Sequence, residues 1–162
     1  MPPPAPILVS APSELTDEEK AEFVNFVADA GEVALATLPA LVESAVALIT
    51  MHDGQLIGTA AIKRPYDQHR RDAFAKAGAP ELADKFPLEI GWIVVHPNHR
   101  KNGNGSALVR AAIDAASSDS VYATTKSDGM KRILSRLGFE KLGDDYPSAL
   151  DPSVRLALFV RN

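Results

Sequence analysis

Residues 88–116 constrain this chain more than any other stretch. LEIGWIVVHP (88–97) is nearly all apolar, a pattern that suits a strand covered on both faces. It predicts a central, two-sided buried strand that ends at Pro97. Gly105 to Ala116 reads as a helix with Leu108, Ala111, Ala112 and Ala115 on one face. Between them stands His96-Pro97-Asn98-His99-Arg100-Lys101-Asn102-Gly103-Asn104-Gly105-Ser106. The first turn of a helix offers free backbone N–H groups and the positive end of its dipole. Glycines at 103 and 105 allow close backbone approach and positive φ, and Arg100 and Lys101 add cationic charge. Together these features make a cradle for a pyrophosphate. The turn is not a Walker A loop, which ends in Gly-Lys-Ser/Thr. It is not GxGxxG either, because Leu108 takes the third glycine's place. By spacing alone it also fits a plain glycine-rich β–α turn.

The rest of the chain alternates strands and helices. Four prolines at 2, 3, 4 and 6 make an extended arm ahead of a short strand, Ile7 to Ser10. SELTDEEKAEFVNFVADAG predicts a helix capped by Thr16 with Glu19 three residues on, and Gly31 as its stop. Residues 32–43 read as a second helix whose limits Pro39 blurs. SAVALITMHDGQLIGTAAIKRP reads as a hairpin turning at Asp53-Gly54. Residues 64–87 are polar, with a helical stretch near Gln68 to Ala77, and suggest an excursion over the surface. VYATT (121–125) is a strand. SDGMKRILSRLGF is a helix with Met130, Ile133, Leu134 and Leu137 inside. A strand at about 139–143, a loop carrying Tyr146-Pro147, and the strand RLALFV (155–160) complete the chain.

With 162 residues, one domain is expected over 1–162, led by the Pro-rich arm 1–6. The 46% hydrophobic and 23% charged composition is that of a globular protein. Absence of cysteine excludes disulfides, a thiol nucleophile and Cys-based metal sites. Apolar runs stop well short of the roughly 20 residues of a membrane helix. MPPPAPILVS lacks the basic start of a signal peptide, so a cytoplasmic protein is expected, with no membrane partner. Residues 1–62 hold one base, Lys20, and nine acids, whereas residues 63–162 hold 16 bases and 12 acids. The front suits a cation and the back an anion. The net charge of −4 argues against nucleic acid as a partner.

Arg100-x-x-Gly103-x-Gly105, directly after Val94-Val95-His96-Pro97, resembles the acetyl-CoA motif of the GNAT superfamily of N-acetyltransferases, Q/R-x-x-G-x-G/A after a central strand. SDGMKRILSRLGFEKLG resembles the next signature of that family, a helix ending in Leu-Gly-Phe. The element order agrees over essentially the whole chain. The resemblance implies an α/β (α+β) fold with a mixed, mostly antiparallel central sheet, splayed fourth and fifth strands, and helices on both faces. It implies acetyl-CoA as cosubstrate, with no metal. The pantetheine arm would run along Trp92 to Val95, with Ile93, Val94 and Val95 in contact. The pyrophosphate would sit on Arg100, Lys101, Asn102, Gly103, Asn104, Gly105 and Ser106.

The implied reaction is direct attack of a primary amine on the thioester. The amine must first lose a proton, since a free alkylamine titrates near 10.4. Glu89 is the only carboxylate in the apolar strand and lies eleven residues before Arg100, where several GNAT enzymes carry a glutamate base. Burial would raise its pKa toward the working range. A strand-end glutamate paired with a base is the other reading. A backbone N–H near Val94 is the expected oxyanion donor. The family's usual tyrosine acid is missing, its place taken by Leu134; Tyr122 or Tyr146 is the possible substitute, unless each is core. Ser127 stands where the family has a cofactor-binding asparagine, or it caps its helix. His96 and His99 lie by the cradle without the further ligands that a metal site needs. The acceptor is expected to be a cationic small-molecule or peptide amine, and a homodimer is left open. The alternative is a non-catalytic acetyl-CoA-binding regulatory module. A tRNA-acetylating toxin and an unrelated nucleotide-binding protein fit less well.

Overall fold

The computed structural model describes residues 5–31, 35–117 and 119–162. Most of the proline arm and the start of the expected second helix lie outside the described residues. In chain order the elements are β1 (Ile7–Ser10), α1 (Asp17–Asp29), α2 (Leu38–Ser44), β2 (Ala47–His52), β3 (Leu56–Lys63), α3 (Asp67–Ala77), β4 (Leu88–Val95), α4 (Asn104–Ala116), β5 (Val121–Thr125), α5 (Asp128–Arg136), β6 (Glu140–Pro147) and β7 (Arg155–Arg161). Short 3-10 turns occupy Pro12–Glu14, Pro80–Lys85 and Pro97–His99. The sheet has seven strands in the order β1-β2-β3-β4-β5-β7-β6 and is mostly antiparallel. The β4–β5 ladder is parallel and holds two pairs, Leu88 with Val121 and Glu89 with Tyr122. The chain divides into two compact units. One runs to Lys63 and adds Ile90–Ala115; the other comprises Arg64–Glu89 and Ala116–Asn162.

In the first unit, the N-terminus of α1 is built as its sequence predicts. The Thr16 hydroxyl accepts the Glu19 N–H at 3.1 Å, and the Glu19 carboxylate accepts the Thr16 N–H at 2.9 Å. The inner face of α1 puts Phe23 and Val27 against Leu38 and Val42 of α2, Leu48 and Ala61 of the hairpin, and Trp92. Each large side chain fully buried there stabilises the fold by about 1.5–3 kcal/mol. The β2–β3 hairpin turns where Asp53-Gly54 predicts, with Gly54 at φ +74°. The buried apolar residues of α4 in this unit are Leu108, Val109 and Ala112, so its inner stripe lies slightly off the expected one. Leu108 packs so closely on β3 that a Cβ at Gly58 would stand 2.9 Å from its Cδ1.

In the second unit, residues 64–87 are more than a surface excursion. Phe74 of α3 stacks on Phe86, with centroids 5.9 Å apart, and meets Tyr122 edge-on at 5.2 Å. With Ala73, Ala77, Ala83, Tyr146 and Leu158 these rings form a second core. The polar outer face of α3 hid it: Arg70 and Arg71 each pair with both Asp67 and Asp84 at 2.8–3.4 Å, tying α3 to the Pro80–Lys85 turn. The expected loop at Tyr146-Pro147 is strand, because β6 bulges between Leu142 and Tyr146 and resumes pairing with β7. At the bulge Gly143 takes φ +68°, and a Cβ there would collide with the Ala77 carbonyl oxygen at 1.8 Å. Of the second expected helix, residues 35–37 are turn and the helix runs Leu38–Ser44, with Pro39 in its first turn.

Candidate active site

β4 is not the uniformly buried strand that its composition suggests. Glu89, Ile90 and Trp92 are buried, while Ile93, Val94 and Val95 are half-buried. Its alternation breaks at Trp92, which takes φ +49°, a left-handed backbone inside a strand. The Thr59 hydroxyl donates to the Trp92 carbonyl at 2.8 Å. The strand leaves through the His96 N–H, which donates to the Ile57 carbonyl at 2.8 Å.

The turn that follows is held by its own side chains. His96 Nδ1 accepts the Asn98 N–H at 3.2 Å, and the His99 N–H donates to the His96 carbonyl at 2.8 Å. Arg100 folds back, its Nε donating to the Val95 carbonyl at 3.0 Å. Asn104, buried, donates from Nδ2 to the His99 carbonyl at 2.9 Å. The Gly103 carbonyl accepts from Ala107 at 3.0 Å. The N–H groups of Asn104, Gly105 and Ser106 therefore precede the first donor bonded within α4 and stand at its positive end. Gly103 has φ +78°, and a Cβ there would meet nothing within 4 Å. The expectation for Gly105 needs correction. It lies in the first turn of α4 with helical backbone, and the second left-handed residue of the turn is Lys101, at φ +67°.

The other expected site residues lie in the second unit. Glu89 is 4% exposed and sits opposite Tyr122 in the β4–β5 ladder. Burial, and then the Glu89 carboxylate, pushes the Tyr122 and Tyr146 phenols well above their ordinary range. Tyr122 is wholly buried against Phe74. Leu134, in the place of the family's tyrosine, is fully buried core. Ser127 caps α5, its Oγ accepting the Met130 N–H at 3.2 Å; the hydroxyl hydrogen is what it has left for a ligand. Ile93, Val94, Val95 and Arg100 to Ser106 thus belong to one unit, and Glu89, Tyr122 and Ser127 to the other.

Sequence reasoning missed Thr59, Trp92's left-handed backbone and the bracing role of the Asn104 side chain. The one signal was Thr59 itself, a hydroxyl within the apolar run Leu56–Ile62. Among the described residues no group of three or more His, Asp or Glu side chains is arranged for a metal ion, and no helix is long and apolar enough to cross a membrane.

β4 is thus followed directly by a turn with a left-handed glycine and by a helix that begins at Asn104. The sequence profile described as the Acetyltransferase (GNAT) family matches residues 13–139, and the chain belongs to that family, a class of acyltransferases. Solved structures agree on the fold. An acyl-CoA N-acyltransferase from Pseudomonas aeruginosa superposes with TM-score 0.70 and 16% identity, covering 98% of this chain and 99% of that one. ElaA from Escherichia coli gives TM-score 0.69 and 14% identity, covering 98% and 99%. A histone acetyltransferase HPA2 and related acetyltransferase from Corynebacterium glutamicum gives TM-score 0.63 and 23% identity, covering 96% and 95%. A comparison with curated protein sequences gives no match.

Proposed function

We propose that this protein transfers an acetyl group from acetyl-CoA to a cationic primary amine by direct attack. The observation that carries the reading is the N-terminus of α4, where left-handed Gly103 precedes the helix in open space and the N–H groups of Asn104, Gly105 and Ser106 have no backbone partner among the described residues. The residues present fit a pyrophosphate: three backbone donors, the remaining guanidinium N–H groups of Arg100, and Lys101 beside them. Acetyl-CoA supplies an acyl group activated as a thioester. Ile93 to Val95 offer backbone groups to an extended pantetheine arm, and a backbone N–H of this stretch serves as the donor to the developing oxyanion.

Glu89 takes the proton of the incoming ammonium, directly or through water, because only the neutral amine has a lone pair for attack. A dedicated acid for the leaving thiolate is dispensable, since a thiol titrates near 8.5. Tyr122, with its proton held by burial and by Glu89, is better suited to shaping the surroundings of Glu89 than to releasing a proton. The acidic front part favours a cationic acceptor. Its one base, Lys20, is already engaged by Glu43 at 2.7 Å and Asp17 at 3.7 Å, which leaves the other carboxylates to attract a cation.

The test is thermal melting with acetyl-CoA, with adenosine diphosphate as control, followed by thiol release over a panel of mono- and polyamines. A ligand at 100 times its dissociation constant should stabilise by about 2.7 kcal/mol, a shift of a few degrees. No shift at millimolar acetyl-CoA would overturn the cradle, and binding with no turnover on any amine would overturn the transfer.

A further inference from the structure

We propose that Thr59 and Lys63 are positioning residues that lock the left-handed backbone of β4 at Trp92 and thereby set the direction of the Ile93–Val95 backbone. The inference rests on the transfer reading only for what that backbone does; the lock itself stands on geometry. A bulky residue in left-handed backbone is strained and persists only where its surroundings fix it. Three contacts converge on Trp92. The Thr59 hydroxyl, on a wholly buried side chain, donates to its carbonyl at 2.8 Å. The Lys63 ammonium lies 4.7 Å from the indole centroid, on its face. Phe23 of α1 meets the indole edge-on at 6.1 Å.

Gly91 completes the device. A Cβ there would stand 2.8 Å from Lys63 Cδ, so the glycine makes the channel through which the lysine stem crosses to reach the ring. Thr59 and Lys63 lie four residues apart on β3 and engage two sides of one residue. A left-handed residue inside a strand breaks the two-residue alternation and turns the N–H groups that follow. The Ile93–Val95 stretch, the proposed source of the oxyanion donor, follows directly. Neither Thr59 nor Lys63 belongs to the sequence motif, and neither is asked to touch a ligand.

Trp92 is the only tryptophan in the chain, so the lock carries its own optical reporter. The variants are Thr59→Val, which keeps the shape and removes the donor, Thr59→Ser, which restores it, and Lys63→Met, which keeps a stem and removes the charge. Each is followed by near-ultraviolet circular dichroism and tryptophan emission without ligand, and by kcat and KM for acetyl-CoA with an accepted amine. Thr59→Val should alter the Trp92 signal and lower kcat by about 10- to 100-fold, the loss expected when a reacting group is slightly misplaced, with KM little changed. Thr59→Ser should recover both, and Lys63→Met should shift the emission and lower kcat less.

An unchanged Trp92 signal in folded Thr59→Val overturns the lock. An altered signal with unchanged kcat overturns its role in positioning. If Thr59→Val does not fold, Lys63→Met decides: the same signal and the same kcat as the parent protein overturn the proposal. Failure of the transfer reading would look different, because the parent protein itself would then acetylate nothing while the ligand-free Trp92 signal would still report the lock.

Discussion

Gly103 is needed for its backbone, not for its lack of bulk, since a Cβ there points into open space. A non-glycine residue in that left-handed geometry costs about 1–2 kcal/mol, and a β-branched one is less tolerated there still. Gly103→Val should therefore weaken acetyl-CoA at least about tenfold by calorimetry, which is about 1.4 kcal/mol, and lower Tm by a few degrees. Glu89→Gln should cut turnover by about 10²–10⁴-fold, the usual contribution of a general base, with cofactor affinity retained. That loss should shrink as pH rises and the amine deprotonates unaided; a constant deficit from pH 7 to 10 would remove Glu89 from proton transfer. At this scale, what could be read from sequence was local. Thr16 and Glu19 meet across one helical turn, so their capping box is visible in four letters. The left-handed Trp92 depends on Thr59, thirty-three residues away, and no local pattern announces it.

Among the elements, α3 and β6 show where pattern reading stopped and why. The order of strands and helices was legible because most have a clear apolar period. α3 carries five charged residues in eleven, and its buried Ala73, Phe74 and Ala77 are too few to look like a core face. β6, EKLGDDYP, lost its alternation at the bulge, so its second half read as loop. Gly143→Ala should destabilise the protein by at least about 1–3 kcal/mol, an overpacking cost, because the Ala77 carbonyl fills the space; a urea midpoint equal to the parent's would contradict the packing. The Arg71 guanidinium holds Asp67 below the usual carboxylate range by hydrogen bonding to it. A depressed folded pKa gives stability that is present above the unfolded value, about 3.9, and lost as pH falls through the folded one. The fall in Tm between pH 7 and pH 3 should therefore be smaller in Asp67→Asn than in the parent protein.

For the molecule as a whole, charge is partitioned along the chain, eight net negatives in residues 1–62 against four net positives in 63–162. A cationic acceptor drawn to the acidic part should show kcat/KM falling as ionic strength rises from about 10 to 150 mM, as the Debye length shrinks from about 30 to 8 Å. A neutral amine of similar shape should show little slope, and equal slopes for the two would argue against steering. The four-membered ion cluster joining α3 to the Pro80–Lys85 turn bears on how such a chain drifts over generations. Each of its two aspartates contacts both arginines. Deleting one carboxylate leaves every remaining charge with a neighbour of opposite sign, so a first substitution is cheap and a second is not. Positions 67, 70, 71 and 84 should therefore tolerate change one at a time in a mutational scan, and in relatives they should be exchanged as a set.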